Sequence, residues 1–250
     1  MEQIMNIEII RQMQELRLDG MIHEFEQQCT TQESLGLSFN TRLLGLLNAE
    51  ATYKSNKRLQ MLLKKARLKE LASVHSIDYS GGRKLSRDVM ESLITLDWIR
   101  HHRNICFTGA SGVGKTWLAC ALGHEACLQG FPVLFKKVRI LLEELQAAKM
   151  TGTFHRLMTQ LSRYPLLILD DWAVEPFSSQ QQSDLFELID ERHLSCSTII
   201  TAQMPVISWH DAFPNKNIAD SMMDRLINTS YQIELSGDSM RRRKKVNHSK

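Results

Sequence analysis

The sequence predicts an α/β fold: a mostly parallel, five-stranded sheet with helices on both faces, preceded by a small all-helical N-terminal domain. From residue 87 onward, short apolar runs alternate with helical segments, an order typical of parallel sheets. A glycine-rich loop joins the first of these runs to a helix. Residues 1–75 contain no proline and place apolar side chains at helical spacing. The predicted domains are therefore a helical region over 1–75, a linker over 76–86, and an α/β domain over 87–250 with a basic tail.

The helical region divides into three segments. Apolar side chains recur every three or four positions in two stretches separated at residues 19 and 20, at Ile9, Met13, Leu16, Met21 and Phe25. A loop is predicted over 30–38 and a further helix over 40–71. The stretch SIDYSGGRKLS, residues 76–86, contains two adjacent glycines and predicts a flexible linker.

Five candidate strands follow, each a short apolar run bounded by polar or glycine residues. They are predicted over 105–108, 132–135, 166–170, 198–202 and 231–235. A helix is predicted over 116–129, with Gly130 as its C-terminal stop. Five strands alternating with helices imply a sheet that is covered on both faces.

The stretch ICFTGASGVGKTW, residues 105–117, fits the pattern G-x-x-x-x-G-K-[ST] between a strand and a helix. In such a loop, backbone N–H groups surround a β-phosphate, the lysine reaches the β- and γ-oxygens, and the hydroxyl ligates Mg²⁺. The competing interpretation is an ordinary connection with a coincidental lysine; the flanking strand and helix favour phosphate binding. The sequence thus predicts a P-loop NTPase. Its nucleotide-binding residues are predicted to be Gly109, Ala110, Ser111, Gly112, Val113, Gly114, Lys115 and Thr116.

A second motif, LLILDDW over 166–172, delivers two carboxylates at the end of a buried strand. Ligands bind at the carboxyl ends of strands in α/β sheets. Asp170 is predicted to hold Mg²⁺ together with Thr116, and Asp171 to orient or deprotonate the attacking water. The alternative, an acidic turn after a core strand, would leave the phosphate loop without a metal site.

Composition sets limits on the class of protein. Hydrophobic residues make up 43% and charged residues 24%, and no apolar run is long enough to span a membrane. The N-terminal MEQIMNIEIIRQ lacks the apolar core of a signal peptide. The five cysteines show no C-x-x-C spacing, so neither a disulfide framework nor a zinc site is supported. We therefore expect a reducing, cytoplasmic location and no membrane partner.

The charge distribution is uneven although the net charge is only +3. Residues 51–69 contain seven basic and no acidic side chains. On a helix at 100° per residue, six of them share an arc of about 140°, opposite a leucine-rich side. A solvated face would normally include glutamates for pairing. The segment therefore predicts contact with the phosphates of duplex DNA through Lys54, Lys57, Arg58, Lys64, Lys65 and Lys69.

The chain resembles the AAA+ ATPases of the IstB/DnaC branch in four segments: GASGVGKT, LLILDDW, TIITAQMP and DRLINTSYQIEL. Two N-terminal segments, LRLDGMIHEF and LLNAEATYKSNKRLQMLLKKARL, are similar to IstB-like proteins in particular, the ATP-dependent helpers of transposases in bacterial insertion sequences. The resemblance covers nearly the whole chain. It implies an AAA+ core that uses ATP and Mg²⁺, oligomeric assembly on DNA, and a transposase of the same element as partner.

The resemblance also implies roles for single residues. Lys115 and Asp170 match the phosphate-loop lysine and the metal-binding aspartate. Asp171 stands where many AAA+ proteins have glutamate, and Gln203 stands at a sensor position usually held by asparagine or threonine, with Thr201 as the alternative. Arg225 matches an arginine finger that reaches the nucleotide of a neighbouring subunit, although by itself it could be a surface arginine. Arg241 is a sensor-like candidate in the basic tail.

Four functions remain open from the sequence. The favoured one is a DNA-binding AAA+ ATPase that assists transposition, and the next is a loader of a replicative helicase with the same core. A small-molecule kinase would need an acceptor pocket and an arginine-rich lid, and we find no such segment between the second and fourth strands. A nucleotide-gated DNA scaffold with slow hydrolysis is the fourth, because an aspartate replaces the usual glutamate at position 171.

Overall fold

The computed structural model describes residues 2–31, 36–79, 82, 84–228 and 230–240. Its helices are α1 (Glu2–Glu15), α2 (Asp19–Thr30), α3 (Phe39–Ala66), α4 (Arg87–Ile94), α5 (Asp97–Arg100), α6 (Lys115–Leu128), α7 (Val138–Met150), α8 (Phe154–Ser162), α9 (Ser179–Arg192) and α10 (Lys216–Ile227). Its strands are β1 (Asn104–Gly109), β2 (Val133–Lys137), β3 (Leu166–Trp172), β4 (Ser197–Ala202) and β5 (Ser230–Leu235). Short 3₁₀ helices cover Val74–Ser76 and Val206–Ala212. None of the helices in the described part of the chain has both the length and the apolar character needed to cross a membrane.

The five strands form one sheet in the order β2-β3-β4-β1-β5, and every neighbouring pair is parallel. Strand β4 is buried at all six of its positions. Successive side chains of a strand point to opposite faces, so burial at consecutive positions means that both faces are covered. The predicted fold class and all five predicted strands are confirmed.

The sheet is irregular where β3 ends. Its pairing with β4 shifts register between Leu169 and Trp172. Asp171 lies in this interval with a φ of 61°, a left-handed conformation that is uncommon for residues other than glycine. A bulge of this kind changes the direction of the side chains around it. The bulge therefore lies at Asp170 and Asp171, the two aspartates that the sequence predicts to be functional.

An aromatic cluster supports the end of β3. Trp172 is 1% exposed and contacts Phe177, Trp209 and Phe213, with ring centroids 5.6, 5.8 and 6.2 Å away. Phe177 and Phe213 stack at 4.8 Å. Rings packed in this way lose most of their rotamer freedom and make the strand end rigid. The two aspartates therefore project from a firmly held backbone.

The chain comprises two compact units, Met1–Met61 and Leu62–Lys250. In the first unit, Gly20 allows α2 to lie close to α3, because a Cβ there would clash with Tyr53 and the backbone near Glu50. The Glu50 carboxylate accepts hydrogen bonds from the N–H groups of Gly20 and Met21 at 2.8 and 3.1 Å. A carboxylate at a helix N-terminus satisfies donors that have no partner within the helix. The predicted break at residues 19 and 20 is the start of α2.

The division between the units falls within α3, and the domain bounds given above remain a prediction. Helix α3 ends at Ala66, five residues earlier than the predicted 71, because Arg67 takes a φ of 52° and turns the chain. The expectation that Lys69 continues the basic helical face is therefore wrong. Within the predicted linker, Ser80, Gly81 and Arg83 lie outside the described residues, as does the tail from Arg241.

Candidate functional site

The glycine-rich loop connects β1 to α6 and contains three glycines with positive φ. Gly109, Gly112 and Gly114 have φ values of 132°, 86° and 102°, which other residues rarely adopt. Gly114 is the N-cap of α6. A Cβ on Gly109 would clash with the carbonyl oxygen of Leu235 at the end of β5. The loop thus has glycine where a side chain would strain the backbone or collide with the neighbouring strand.

Lys115 is the first residue of α6, and its side chain lies against the loop. Its side chain is mostly buried, at 8% exposed, and its Nζ donates hydrogen bonds to the carbonyl oxygens of Gly109 and Ala110 at 2.7 and 2.8 Å. Ala110 and Ser111 are exposed at the outer side of the loop, and Val113 is fully buried. A partly desolvated ammonium at a helix N-terminus provides a favourable position for a phosphate group.

Asp170 joins three parts of the fold. Its side chain is fully buried, and its Oδ1 accepts hydrogen bonds from the hydroxyls of Thr116 and Thr201, both at 2.6 Å. These come from the phosphate loop and from β4, so the arrangement depends on β3 lying beside β4 and near the loop. The other oxygen, Oδ2, is buried and has no hydrogen-bond partner among the described residues.

This arrangement fits a magnesium ion. Mg²⁺ prefers oxygen ligands and commonly binds through a carboxylate, a hydroxyl and phosphate oxygens. The Thr116 hydroxyl and the Asp170 carboxylate supply such oxygens side by side, and Oδ2 of Asp170 is a buried acceptor without a donor. Since buried polar atoms usually have partners, the residues present suit a cation at this position.

Asp171 differs from Asp170 in the solvent exposure of its side chain and in the groups that it contacts. Its side chain is 43% exposed, and its carboxylate forms an ion pair with Lys137 Nζ at 3.1 Å. Its backbone N–H donates to the Thr201 hydroxyl at 3.3 Å. Lys137 ends β2, the strand beside β3, so the sequence could indicate this contact only once the strand order was known.

Thr201, rather than Gln203, is in contact with the carboxylate of Asp170 and with the backbone of Asp171. Thr201 is 1% exposed and hydrogen-bonds both aspartates, whereas Gln203 follows the end of β4 and is exposed to solvent. The sequence named Thr201 only as an alternative to Gln203. The sensor role of Gln203 remains a prediction.

Arg225 lies on α10 and is held by its own chain. Its Nε donates to Asp190 Oδ1 at 2.6 Å, and its Nη1 donates to the carbonyl oxygen of Ser221 at 2.8 Å. The guanidinium also lies over the ring of Phe186, 5.1 Å from its centroid. Its side chain remains 28% exposed. A role on a neighbouring subunit would require it to leave Asp190.

The six predicted DNA-contacting cations occupy different environments. Lys54 pairs with Glu50 at 3.1 Å and Lys57 with Asp19 at 3.4 Å, and both side chains stay 60% exposed. Arg58, Lys64 and Lys65 are exposed on α3. Lys69 instead lies 3.7 Å from Oδ2 of Asp170. Glu50 pairs with Lys54 one helical turn away, just before the basic segment over 51–69, whereas Asp19 reaches Lys57 only because α2 packs on α3.

The segment after β5 lies on the phosphate loop. The Met240 N–H donates to the Gly112 carbonyl oxygen at 2.9 Å, and a Cβ on Gly112 would clash with the hydroxyl of Ser239. Position 112 therefore favours glycine for two reasons: its backbone conformation and the lack of space for a side chain. Arg241, the sensor-like candidate, lies outside the described residues.

Two of the buried cysteines, Cys106 and Cys127, have thiols that do not suit a reactive site. All five are free. Burial raises the pKa of the Cys106 thiol to about 12 and that of Cys127 to about 11. A thiol with a raised pKa is a poor nucleophile and a poor metal ligand at neutral pH.

Comparison with known proteins agrees with this site. The family model of the IstB-like ATP binding protein matches residues 11–248. An insertion sequence ATP-binding protein of Sinorhizobium fredii is 41% identical over 225 residues, which cover 90% of this chain and 92% of the relative. A similarly named protein of Pseudomonas fluorescens is 43% identical over 197 residues, covering 78% of this chain and 85% of the relative.

Solved structures share the fold over about two thirds to three quarters of the chain. The crystal structure of DnaI superposes with a TM-score of 0.56 at 21% identity, covering 66% of this chain and 92% of that one. The DnaC helicase loader gives 0.55 at 18% identity, with 66% and 97% covered. The replication initiator DnaA, solved with AMPPCP and single-stranded DNA, gives 0.58 at 18% identity, with 73% and 56% covered.

These structures are neighbours in fold, and the family follows from the sequence relatives. The match to the family model extends across the phosphate loop, the carboxylate pair and most of the N-terminal helices. The chain is an AAA+ P-loop ATPase, and it belongs to the IstB-like family of ATP-binding proteins.

Proposed function

We propose that this protein assembles on duplex DNA in an ATP-dependent manner and assists the transposase of an insertion sequence. The observation that carries the nucleotide part is the contact of Asp170 with Thr116 and Thr201, beside the buried Lys115. The relatives named as insertion sequence ATP-binding proteins support the biological context. The exposed cations of α3 support the DNA contact.

Each residue of the site has a distinct task in this proposal. The loop N–H groups and Lys115 bind the β- and γ-phosphates, for which Lys115 exchanges its two carbonyl partners for phosphate oxygens. Thr116 and Asp170 hold Mg²⁺, which supplies charge neutralisation of the phosphates when bound. Asp171 orients the attacking water once its pairing with Lys137 loosens. Thr201 holds the carboxylate of Asp170 and the backbone of Asp171 in position.

The DNA contact in this proposal is electrostatic and insensitive to sequence. Lysine and arginine side chains on a helix reach phosphates at the duplex surface, and such contacts fix position without reading bases. Lys64 and Lys65 are exposed on α3 and belong to the same compact unit as the nucleotide site.

The test is ATP turnover by the full chain with and without duplex DNA. We expect Mg²⁺-dependent turnover that rises when duplex DNA is added. Lys115→Ala should lower ATP affinity by about tenfold or more, because it removes the cation that reaches the phosphates. Lys216→Ala, an exposed lysine on α10, is the matched control and should behave as the unmodified protein.

Two outcomes would contradict the proposal. Unchanged ATP affinity in a folded Lys115→Ala variant would remove the phosphate-loop assignment. Turnover that ignores DNA but requires a small-molecule acceptor would identify a kinase instead. The transposase itself is tested by co-purification with the protein in the presence of ATP and DNA, where a replicative helicase as the retained partner would favour the loader function.

A further inference from the structure

The buried carboxylate of Asp170 has one unusual neighbour, the ammonium group of Lys69. One carboxylate oxygen accepts two hydroxyl hydrogen bonds, and the other has none among the described residues. Lys69 Nζ lies 3.7 Å from this second oxygen, too far for a hydrogen bond but within ion-pair distance. Charges that are buried in proteins are normally paired. Lys69 therefore balances the charge of Asp170 in this structure.

The backbone around Lys69 is fixed against the helix that follows the phosphate loop. Leu68 packs over Gly123 of α6, where an added Cβ would lie 3.1 Å from its Cδ2. Burial raises the pKa of the Cys120 thiol, and the backbone N–H groups of Glu70 and Lys69, which point at its sulfur, oppose that rise. The segment over 68–70 thus lies along α6, within the same compact unit as Asp170.

The side chain of Lys69 is freer than its backbone. It is 34% exposed, whereas Asp170 is fully buried. Its ammonium ends a flexible four-carbon stem, so it can move outward without displacing the segment that carries it. The contact is therefore one that a competing cation could break.

We propose that Lys69 is the counter-ion of Asp170 when no metal is bound, and that it leaves Asp170 when Mg²⁺ binds with ATP. This inference rests on the proposed function, which places the metal at Thr116 and Asp170. Two cations at one carboxylate repel each other, so a metal at this position and the ammonium of Lys69 compete. The competition is reciprocal: Lys69 weakens metal binding, and metal binding releases Lys69.

Because Lys69 lies close to the end of α3, its competition with the metal affects that helix. Lys69 lies three residues beyond the end of α3, whose last turns carry the exposed Lys64 and Lys65. Release of Lys69 changes the contacts of the segment that directly follows this helix. The segment over 67–70 is thus a physical connection through which the nucleotide site affects the predicted DNA-contacting residues.

The first experiment measures metal affinity rather than turnover. Mn²⁺, which can replace Mg²⁺ and is detected by electron paramagnetic resonance, is titrated into the full chain at saturating ATP. Lys69→Met removes the charge and keeps the stem, and it should bind Mn²⁺ about fivefold more tightly or better, the lower end of typical coupling between linked sites. Lys216→Met, the same change at an exposed lysine on α10, should match the unmodified protein.

The outcomes separate this inference from the proposed function. If the unmodified protein and Lys216→Met show no metal-dependent ATP binding, the proposed function fails. If they bind Mn²⁺ with ATP and Lys69→Met binds it equally well, only the displacement of Lys69 is refuted. Weaker binding by Lys69→Met would also refute it, and would make Lys69 a ligand of the phosphates.

A second measurement uses the unmodified protein, so it does not depend on a variant that folds. An amine-reactive reagent is applied with and without Mg²⁺ and ATP, and the modification of Lys69 is quantified by mass spectrometry against that of Lys64 and Lys65. We expect Mg²⁺ with ATP to raise the modification of Lys69 several-fold relative to the other two. Unchanged or reduced modification of Lys69 would overturn the proposal.

Discussion

At the scale of single residues, Thr201 is the residue whose hydroxyl group links the two aspartates of the site. Its one hydroxyl donates to Asp170 and accepts from the N–H of Asp171, and the side chain is almost fully buried. The geometry of the carboxylate pair therefore depends on a residue that belongs to the neighbouring strand.

We expect Thr201→Val to slow ATP turnover by about tenfold or more while leaving the fold intact. Valine has nearly the same shape, but it removes a hydrogen bond to a charged acceptor, which contributes about 1.5–3 kcal/mol. Turnover at saturating ATP and unfolding in denaturant are the measurements. Gln203→Ala, at an exposed position two residues later, is the comparison. A larger loss of turnover for Gln203→Ala would restore Gln203 as the sensor and reduce Thr201 to a structural residue.

At the scale of elements, the sequence indicated those features that depend on neighbouring residues in the chain. The phosphate loop and the five strands could be predicted, because glycine spacing and apolar runs act over a few residues. The pairing of Asp171 with Lys137 could not, because it requires knowing that β2 lies beside β3. The contact of Lys69 with Asp170 was missed for a second reason: helical periodicity does not reveal that the chain turns at Arg67.

The basic surface of α3 gives a prediction at the same scale. Five of the six predicted DNA-contacting cations remain on this helix once Lys69 is set aside, so the logarithm of the DNA affinity should fall with the logarithm of salt concentration at a slope of about −4.5 per protomer. Lys64→Glu with Lys65→Glu should reduce the slope to about −2.7. Filter binding or fluorescence anisotropy on unrelated duplexes at several salt concentrations measures it.

The control for this experiment carries the same charge change elsewhere. Arg139→Glu with Lys216→Glu alters two exposed cations, on α7 and α10, and should leave the slope near that of the unmodified protein. Equal effects from the two double variants would mean that only the net charge of the protein matters. If the DNA affinity of the unmodified protein does not depend on salt concentration, the cations of α3 face solvent and do not contact DNA phosphates.

At the scale of the whole molecule, the question is whether one chain contains a complete site. The phosphate loop, the carboxylate pair and Thr201 come together within one chain. The guanidinium of Arg225 is bound to Asp190 and Phe186 of α9 instead. We therefore expect the arginine that stabilises charge on the transferred phosphoryl group to come from a neighbouring molecule, after it has exchanged Asp190 for phosphate.

We accordingly predict that Arg225 acts on the nucleotide of a neighbouring subunit and that the active species is an oligomer. Arg225→Ala should bind ATP yet lose turnover by about 10³-fold, as expected for an arginine finger. Asp190→Asn, which weakens the contact that holds Arg225 in its own chain, should retain turnover.

A mixing experiment tests whether Arg225 acts between subunits. Lys115→Ala lacks an intact phosphate loop but keeps its arginine. Mixing it with Arg225→Ala should restore part of the activity, because a mixed interface joins one intact loop to one intact arginine. The measurement is ATP turnover across mixing ratios, with co-assembly checked by light scattering. If Arg225 serves only to pair with Asp190, Arg225→Ala and Asp190→Asn should lose stability to the same extent. The co-assembled mixture of Arg225→Ala and Lys115→Ala should then stay inactive.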